Sequence, residues 1–218
     1  AESLPWLEDE LRLCETLGEE AGDLASALRD AADDEHYLGV RIFEVPDVLR
    51  RFDELEERRR ADPTSAESLD EDLEVLDRLQ ALAELLPEEY VPHLIDAARL
   101  LWPAATSSLG VRRALEYSGA VVELIRRAPE AIAEPQAREA YAIYLGQHAD
   151  SLSMVNEHDA AYAAIDEALE MMRALGDATE DTAEELARLM STASEIYQAG
   201  GRLDEAAAAA GASRLAWI

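Results

Sequence analysis

Two stretches of the chain repeat one arrangement of small residues about a turn, and this recurrence constrains the fold more than any other feature. In the downstream copy Met190, Ala193, Ser194 and Tyr197 share a helical face, Gly200-Gly201 makes a turn, and Ala206, Ala210 and Ser213 lie on a returning helix. In the upstream copy Leu145, His148, Ala149 and Leu152 precede Asn156, and Ala161, Ile165 and Ala168 follow it. Ala161 and Ala206 are 45 residues apart. A weaker third copy, with Ala98, Leu101, Trp102 and Ala105 before Leu109-Gly110 and Ala114, Ser118 and Val121 after it, lies 47 residues further upstream. Periods of this length belong to helical repeats. Antiparallel helices approach closely only where both contribute small residues. Ala149 is therefore expected to face Ala161 and Ser194 to face Ala206, with Leu152 and Tyr197 filling the wider space beside them. A single hairpin cannot bury its apolar face alone, so the hairpins are expected to stack.

Helix signals run from end to end, with no run of alternating polar and β-branched residues that would mark a strand. Helices are expected near Pro5 to Leu17, Asp23 to Ala32 and Tyr37 to Phe43, and Pro46 opens another that runs to Arg58-Arg59-Arg60. That arginine run reads as a cap, because cations suit the negative C-terminal end of a helix. Thr64-Ser65-Ala66-Glu67 has the spacing of a capping box, in which hydroxyl and carboxylate satisfy backbone donors at a helix start. The leucines at 69, 73, 76, 79 and 86 then mark the strongest amphipathic helix. Further helices are expected near Pro92 to Thr106, Val111 to Arg127, Gln136 to Met154, His158 to Leu175, Asp181 to Ala199 and Leu203 to Ala216. Pro103 predicts a kink or an early end, since proline removes a helix hydrogen bond. Residues 1–63 form an N-terminal helical segment in this reading, and 64–218 the repeats.

Composition narrows the function. The chain carries 48 acids against 19 bases, all arginine, for a net charge of −29. Binding a phosphate backbone requires clustered positive charge, so nucleic acid is an unsuitable partner, and acidic membranes would repel the chain. Hydrophobic residues make up 49%, too many for a disordered chain. Arginines and acids interrupt every apolar stretch before it reaches membrane-spanning length. The single Cys14 forms no intramolecular disulfide, and no basic segment followed by an apolar one opens the chain, so a cytoplasmic protein is expected. The first residue is Ala1 rather than Met, which suits either a trimmed chain or a segment of a longer protein.

At the repeat residues the sequence resembles the tetratricopeptide family. The segment from Glu167-Ala168-Leu169-Glu170 through Tyr197-Gln198-Ala199-Gly200-Gly201-Arg202-Leu203-Asp204-Glu205-Ala206 is similar to the extended-helix variety of kinesin light chains and actinobacterial proteins, and Pro87 to Leu94 is similar to the linkers between repeats of the latter. The family's leucine-glycine pair stands here as Ala193-Ser194 and His148-Ala149, and Trp102 occupies the glycine-like position of the third copy, where a close crossing needs a small residue. The asparagines of a carboxylate clamp are absent, Asn156 being the chain's one asparagine. The resemblance implies an all-α fold of antiparallel hairpins stacked as a right-handed solenoid, and a non-catalytic scaffold that binds a protein or peptide of basic character. It places Asp96, Arg99, Asp150, Met154, Arg188, Glu195 and Gln198 near the concave groove. Association between copies of the chain stays open.

Catalytic signatures are scarce. His36, His93, His148 and His158 are dispersed and belong to no His-Glu-x-x-His, Cys-x-x-Cys or nucleotide-binding glycine motif. Asp33-x-x-His36 offers two ligands on one helix, but a di-metal bundle needs two Glu-x-x-His motifs and further carboxylates. No enzyme, metal site or cofactor is therefore expected. His148, on a packing face, reads as a core histidine. The alternatives are a regulatory sensor domain of a larger signalling protein or, further off, a helical metal-dependent enzyme.

Overall fold

The computed structural model describes residues 45–176 and 180–216, and these form eight α-helices and no strand. They are α1 (Val45–Ala61), α2 (Leu69–Leu85), α3 (Pro87–Leu109), α4 (Val111–Arg127), α5 (Pro135–Met154), α6 (His158–Leu175), α7 (Glu180–Ala199) and α8 (Leu203–Ala216), with a 3-10 turn, Pro129–Ile132, between α4 and α5. The helices expected near Pro5, Asp23 and Tyr37 lie outside the described residues, as do Cys14, Asp33, His36 and Trp217-Ile218. Substantial packing joins each helix to the next element or the next but one along the chain. The tightest partners are α5 with α6 and α7 with α8, the two hairpins of the clearest repeat. Helix packing is thus consistent with stacked helices.

The 45-residue period is visible in the backbone. At the end of α5 the Glu157 N–H donates to the Leu152 carbonyl at 2.9 Å and the Asn156 N–H to the Ser153 carbonyl at 3.0 Å. At the end of α7 the Arg202 N–H donates to the Tyr197 carbonyl at 2.8 Å and the Gly201 N–H to the Gln198 carbonyl at 3.1 Å. Both sets are Schellman caps, in which a left-handed residue turns the chain back and satisfies the last helix carbonyls. The left-handed residues are Asn156 (φ 66°) and Gly201 (φ 83°), residue types that tolerate this conformation.

Small residues bridge the downstream hairpin as the pattern requires. Ser194 Oγ donates to the Ala206 carbonyl at 2.9 Å, and Ser213 Oγ donates back to the Ala187 carbonyl at 2.9 Å. Each hydroxyl reaches backbone on the opposing helix, which a larger side chain would hold away. In the upstream hairpin Ala149 and Ala161 are both fully buried, and Leu152 and Tyr197 are buried beside the small residues. Gly200 has a separate reason to lack a side chain. A Cβ there would lie 1.6 Å from Tyr162 Oη, so the turn packs directly against an α6 ring.

Three expectations need correction. Pro103 does not end its helix: α3 begins at Pro87 and continues through Pro92 and Pro103 to Leu109, so the linker-like segment Pro87 to Leu94 forms its first turns. Burial of Leu101, Ala104 and Ala105 around Pro103 offsets the lost hydrogen bond. No capping box forms at Thr64 to Glu67. The Ser65 hydroxyl accepts the Glu67 N–H at 3.1 Å, Asp62 accepts the Thr64 N–H at 3.2 Å, and α2 starts only at Leu69. These local turns use the side chains that the box would need. Trp102 lines a surface indentation with residues of α5 and α7, and its hairpin, α3 with α4, packs less extensively than α5 with α6 or α7 with α8, as a bulky residue at the glycine-like position implies. The single residue Gly110 (φ 83°) makes that hairpin's turn, against three residues between α5 and α6.

Nor is the arginine run a simple cap. Arg59 and Asp72 are buried, with Arg59 Nε and Nη2 donating to Asp72 Oδ2 at 2.8 and 2.5 Å and Arg59 Nη1 to the Ser65 carbonyl at 2.6 Å. Arg58 pairs with the other Asp72 oxygen, so one carboxylate joins α1 to α2 through two guanidinium groups. Arg60 alone behaves as a surface residue, pairing with Glu56 at 3.0 Å.

Two predictions follow from these contacts. Removing one partner of a buried, hydrogen-bonded charge pair leaves the other uncompensated, so Asp72→Ala should cost about 3–5 kcal/mol in urea unfolding. Gly201→Ala should cost about 1 kcal/mol for a left-handed backbone, whereas Asn156→Gly should change stability by less than about 0.5 kcal/mol.

Candidate functional site

The first helices of successive hairpins, α3, α5 and α7, pack on one another, α3 on α5 and α5 on α7. Two indentations follow that row. One, of about 530 Å³, lies between α3 and α5 and is lined by Asp96, Arg99, Glu134, Glu139 and Ile143 among others. The second, of about 220 Å³, lies between α5 and α7 beneath Trp102 and is lined by Gln147, Asp150, Glu185 and Arg188. Ile143 borders both, so the two form one interrupted groove.

Four of the expected residues line this groove, Asp96 and Arg99 at one end and Asp150 and Arg188 at the other. Glu195 is exposed one helical turn beyond Thr192, which borders the second indentation, and its charge acts on Asp150. Met154, 64% exposed, and Gln198, also exposed, sit at the ends of α5 and α7 and line neither indentation. The sequence reading passed over Gly146 and Gln147, and placed Trp102 in the repeat pattern rather than in the groove. Gly146 is the tight contact: a Cβ there would lie 2.3 Å from Leu189 Cδ2, so its absence lets α5 and α7 close beneath the groove. Its position three residues before the expected Ala149 was the available signal, since a helical glycine lowers helix propensity unless packing uses it.

Charge is distributed unevenly along the groove. Arg99 Nη2 donates to Asp96 at 3.2 Å, while its buried Nε has no hydrogen-bond partner. Arg188 is held by two acids of its own helix, Glu184 and Glu185, the latter at 3.0 Å. Asp150, half-buried, has no cationic partner among the described residues. Burial, and secondarily the charge of Glu195, raises its carboxyl above the usual aspartate range.

Other titratable groups hold the scaffold. His148 Nδ1 lies 2.7 Å from Ser118 Oγ, joining α5 to α4. Burial, with a lesser contribution from Arg126, lowers the imidazole to about 4, in accord with its reading as a core histidine. Arg126 joins Glu167 at 2.7 Å. On α6 and α7, Tyr197 Oη bonds Asp166, and the Arg202 guanidinium lies 4.7 Å from the Tyr162 ring centre and 5.4 Å from that of Tyr197. Among the described residues no three His, Cys, Asp or Glu side chains come together to hold a metal ion, and no helix is long and apolar enough to cross a membrane. Compared with protein-family models, curated proteins and solved structures, the chain matches none.

The two shifted groups make opposite predictions. His148 is neutral in the fold but protonates near its ordinary value when unfolded, so the unfolded state binds more protons between about pH 6.5 and 4. Stability should therefore fall as pH drops through that window, by at most about 2 kcal/mol between pH 6.5 and 5, and His148→Asn should remove this component. Asp150, with its raised carboxyl, destabilises the fold at neutral pH. Asp150→Asn should raise Tm at pH 7 by about 2 °C, a gain that shrinks as acid protonates the wild-type carboxyl.

Proposed function

We propose that the chain is a tetratricopeptide-like, right-handed solenoid that binds an extended segment of another protein along the groove of α3, α5 and α7, and that it acts as a non-catalytic scaffold. One observation carries the reading: first helices of successive hairpins pack side by side and share a groove bordered by unequally neutralised acids. The two equivalent caps 45 residues apart support the repeat architecture. The net charge of −29 supports a partner of basic character, because charge of one sign steers encounter and rejects like-charged segments. In this reading Asp96 and Arg99 contact the partner at one end and Asp150, Arg188 and Glu195 at the other, with Met154 and Gln198 at the margin. The compartment is cytoplasmic.

An array of immobilised random 12-residue peptides, probed with the full chain at low and high salt, tests this. Capture should favour arginine- and lysine-containing peptides and fall with salt. It should weaken at least about tenfold in an Asp96→Arg, Asp150→Arg double variant that keeps its helical circular dichroism. Capture that is indifferent to the reversal would remove this groove, and no salt-labile capture at all would remove the scaffold reading.

A further inference from the structure

The indentation between α5 and α7 is built differently from the rest of the groove. Its wall is aromatic, the half-buried indole of Trp102 reaching across from α3. Its floor carries two acceptors from one face of α5, since Gln147 and Asp150 are three residues apart on a helix. The Gln147 side-chain oxygen is buried without a hydrogen-bond donor, and Asp150 is without a cation among the described residues. Buried acceptors are ordinarily satisfied; Gln147 lines the indentation while its orphan oxygen is closed to solvent, so a donor that arrives from outside meets it when the side chain turns toward the cavity. The one cation already there, Arg188, is engaged by Glu184 and Glu185. Of the nearby acids, Glu185 is therefore partnered, and Asp150 and Glu195 are left as uncompensated charge.

We infer that this indentation is a pocket for one arginine side chain of the bound segment, its guanidinium against the Trp102 ring and its N–H groups donating to Gln147 Oε1 and the Asp150 carboxylate. The inference rests on the scaffold reading and adds the identity of one side chain that it recognises. Three features select arginine. A planar guanidinium stacks on an indole and still directs its donors outward in a fork that meets two separate acceptors, whereas a lysine ammonium is a single, strongly hydrated point. A carboxylate facing that fork forms charge-assisted bonds, the strongest kind open to it. The volume of about 220 Å³ equals roughly seven waters at ~30 Å³ each, which is room for one long side chain and not for a helix. A ligand here also relieves the repulsion between Asp150 and Glu195, so the destabilising acid has a use in the complex.

The test uses the full chain, ¹⁵N-labelled, titrated with blocked tripeptides in which glycines flank arginine, citrulline or lysine. Arginine should shift the indole N–H signal of Trp102, identified by its loss in Trp102→Phe, and the side-chain amide of Gln147. Citrulline, equal in shape but uncharged, should bind at least about tenfold more weakly, with lysine between them. Asp150→Asn, isosteric and expected to fold at least as well, should weaken arginine about tenfold, and Gln147→Leu should narrow the preference for arginine over lysine. Equal binding of arginine and citrulline, shifts that avoid Trp102 and Gln147, or an unchanged affinity in Asp150→Asn would each overturn the pocket. If the tripeptides fail while array peptides still bind in a groove-dependent manner, the pocket alone falls. If neither binds, the pocket and the scaffold reading fall together.

Discussion

The described structure depends on how closely two antiparallel helices of one hairpin can lie. Helices with large residues at the contact stay further apart and leave carbonyls beyond the reach of side chains on the partner. Here Ala149 and Ala161 are fully buried in one hairpin, and in the next the Ser194 hydroxyl bonds directly to the Ala206 backbone on the opposing helix. The Schellman caps are the other half of the constraint. By reversing the chain in three residues at Asn156 and Gly201, they bring each pair into register with no adjustable loop between. Once the hairpins are set, each leaves an apolar flank, and packing of α5 on α7 and α6 on α7 covers it.

This constraint also shapes the groove. Because α3, α5 and α7 are the helices that pack on one another, their outward residues line the same surface, and charge there is free of any core-filling duty. The surface bears a cost that packing would not select. Asp150 sits half-buried beside Glu195 while two acids of α7 hold the nearest arginine. Elsewhere the chain handles buried charge differently. Asp72 is fully buried and meets two arginines, and His148 is held neutral against Ser118. A protein that pairs its internal charges at α1 and α2 but leaves one unpaired in a surface groove directs attention to that groove, since stability is often sacrificed where binding occurs.

Much of the fold was legible because its rules are local. The helix ends at Met154 and Ala199, the turns at Asn156 and Gly200-Gly201, and the facing of Ser194 and Ala206 all follow from residue type at fixed spacing. What escaped the sequence depended on contacts between distant residues. Arg59 looked like a helix cap because nothing nearby announces that Asp72, in the next helix, will close over it. The helix through Pro103 persists because neighbours bury Leu101 and Ala104, which a local rule cannot weigh. The place of Trp102 in the repeat pattern says nothing of the indentation that it lines with residues of α5 and α7. In the groove, spacing alone picked out Asp96, Arg99, Asp150 and Arg188, but the orphan oxygen of Gln147 and the clearance at Gly146 exist only once α5 and α7 are side by side.

The claim that small residues set the hairpin geometry is tested most directly by enlarging them one at a time. Ala161 is fully buried, and Ala163, two residues along the same helix, is exposed. Equilibrium urea unfolding of Ala161→Leu should show a loss of about 1–3 kcal/mol from overpacking, with Ala163→Leu within about 0.5 kcal/mol of the parent. Equal responses at the two positions would contradict the account.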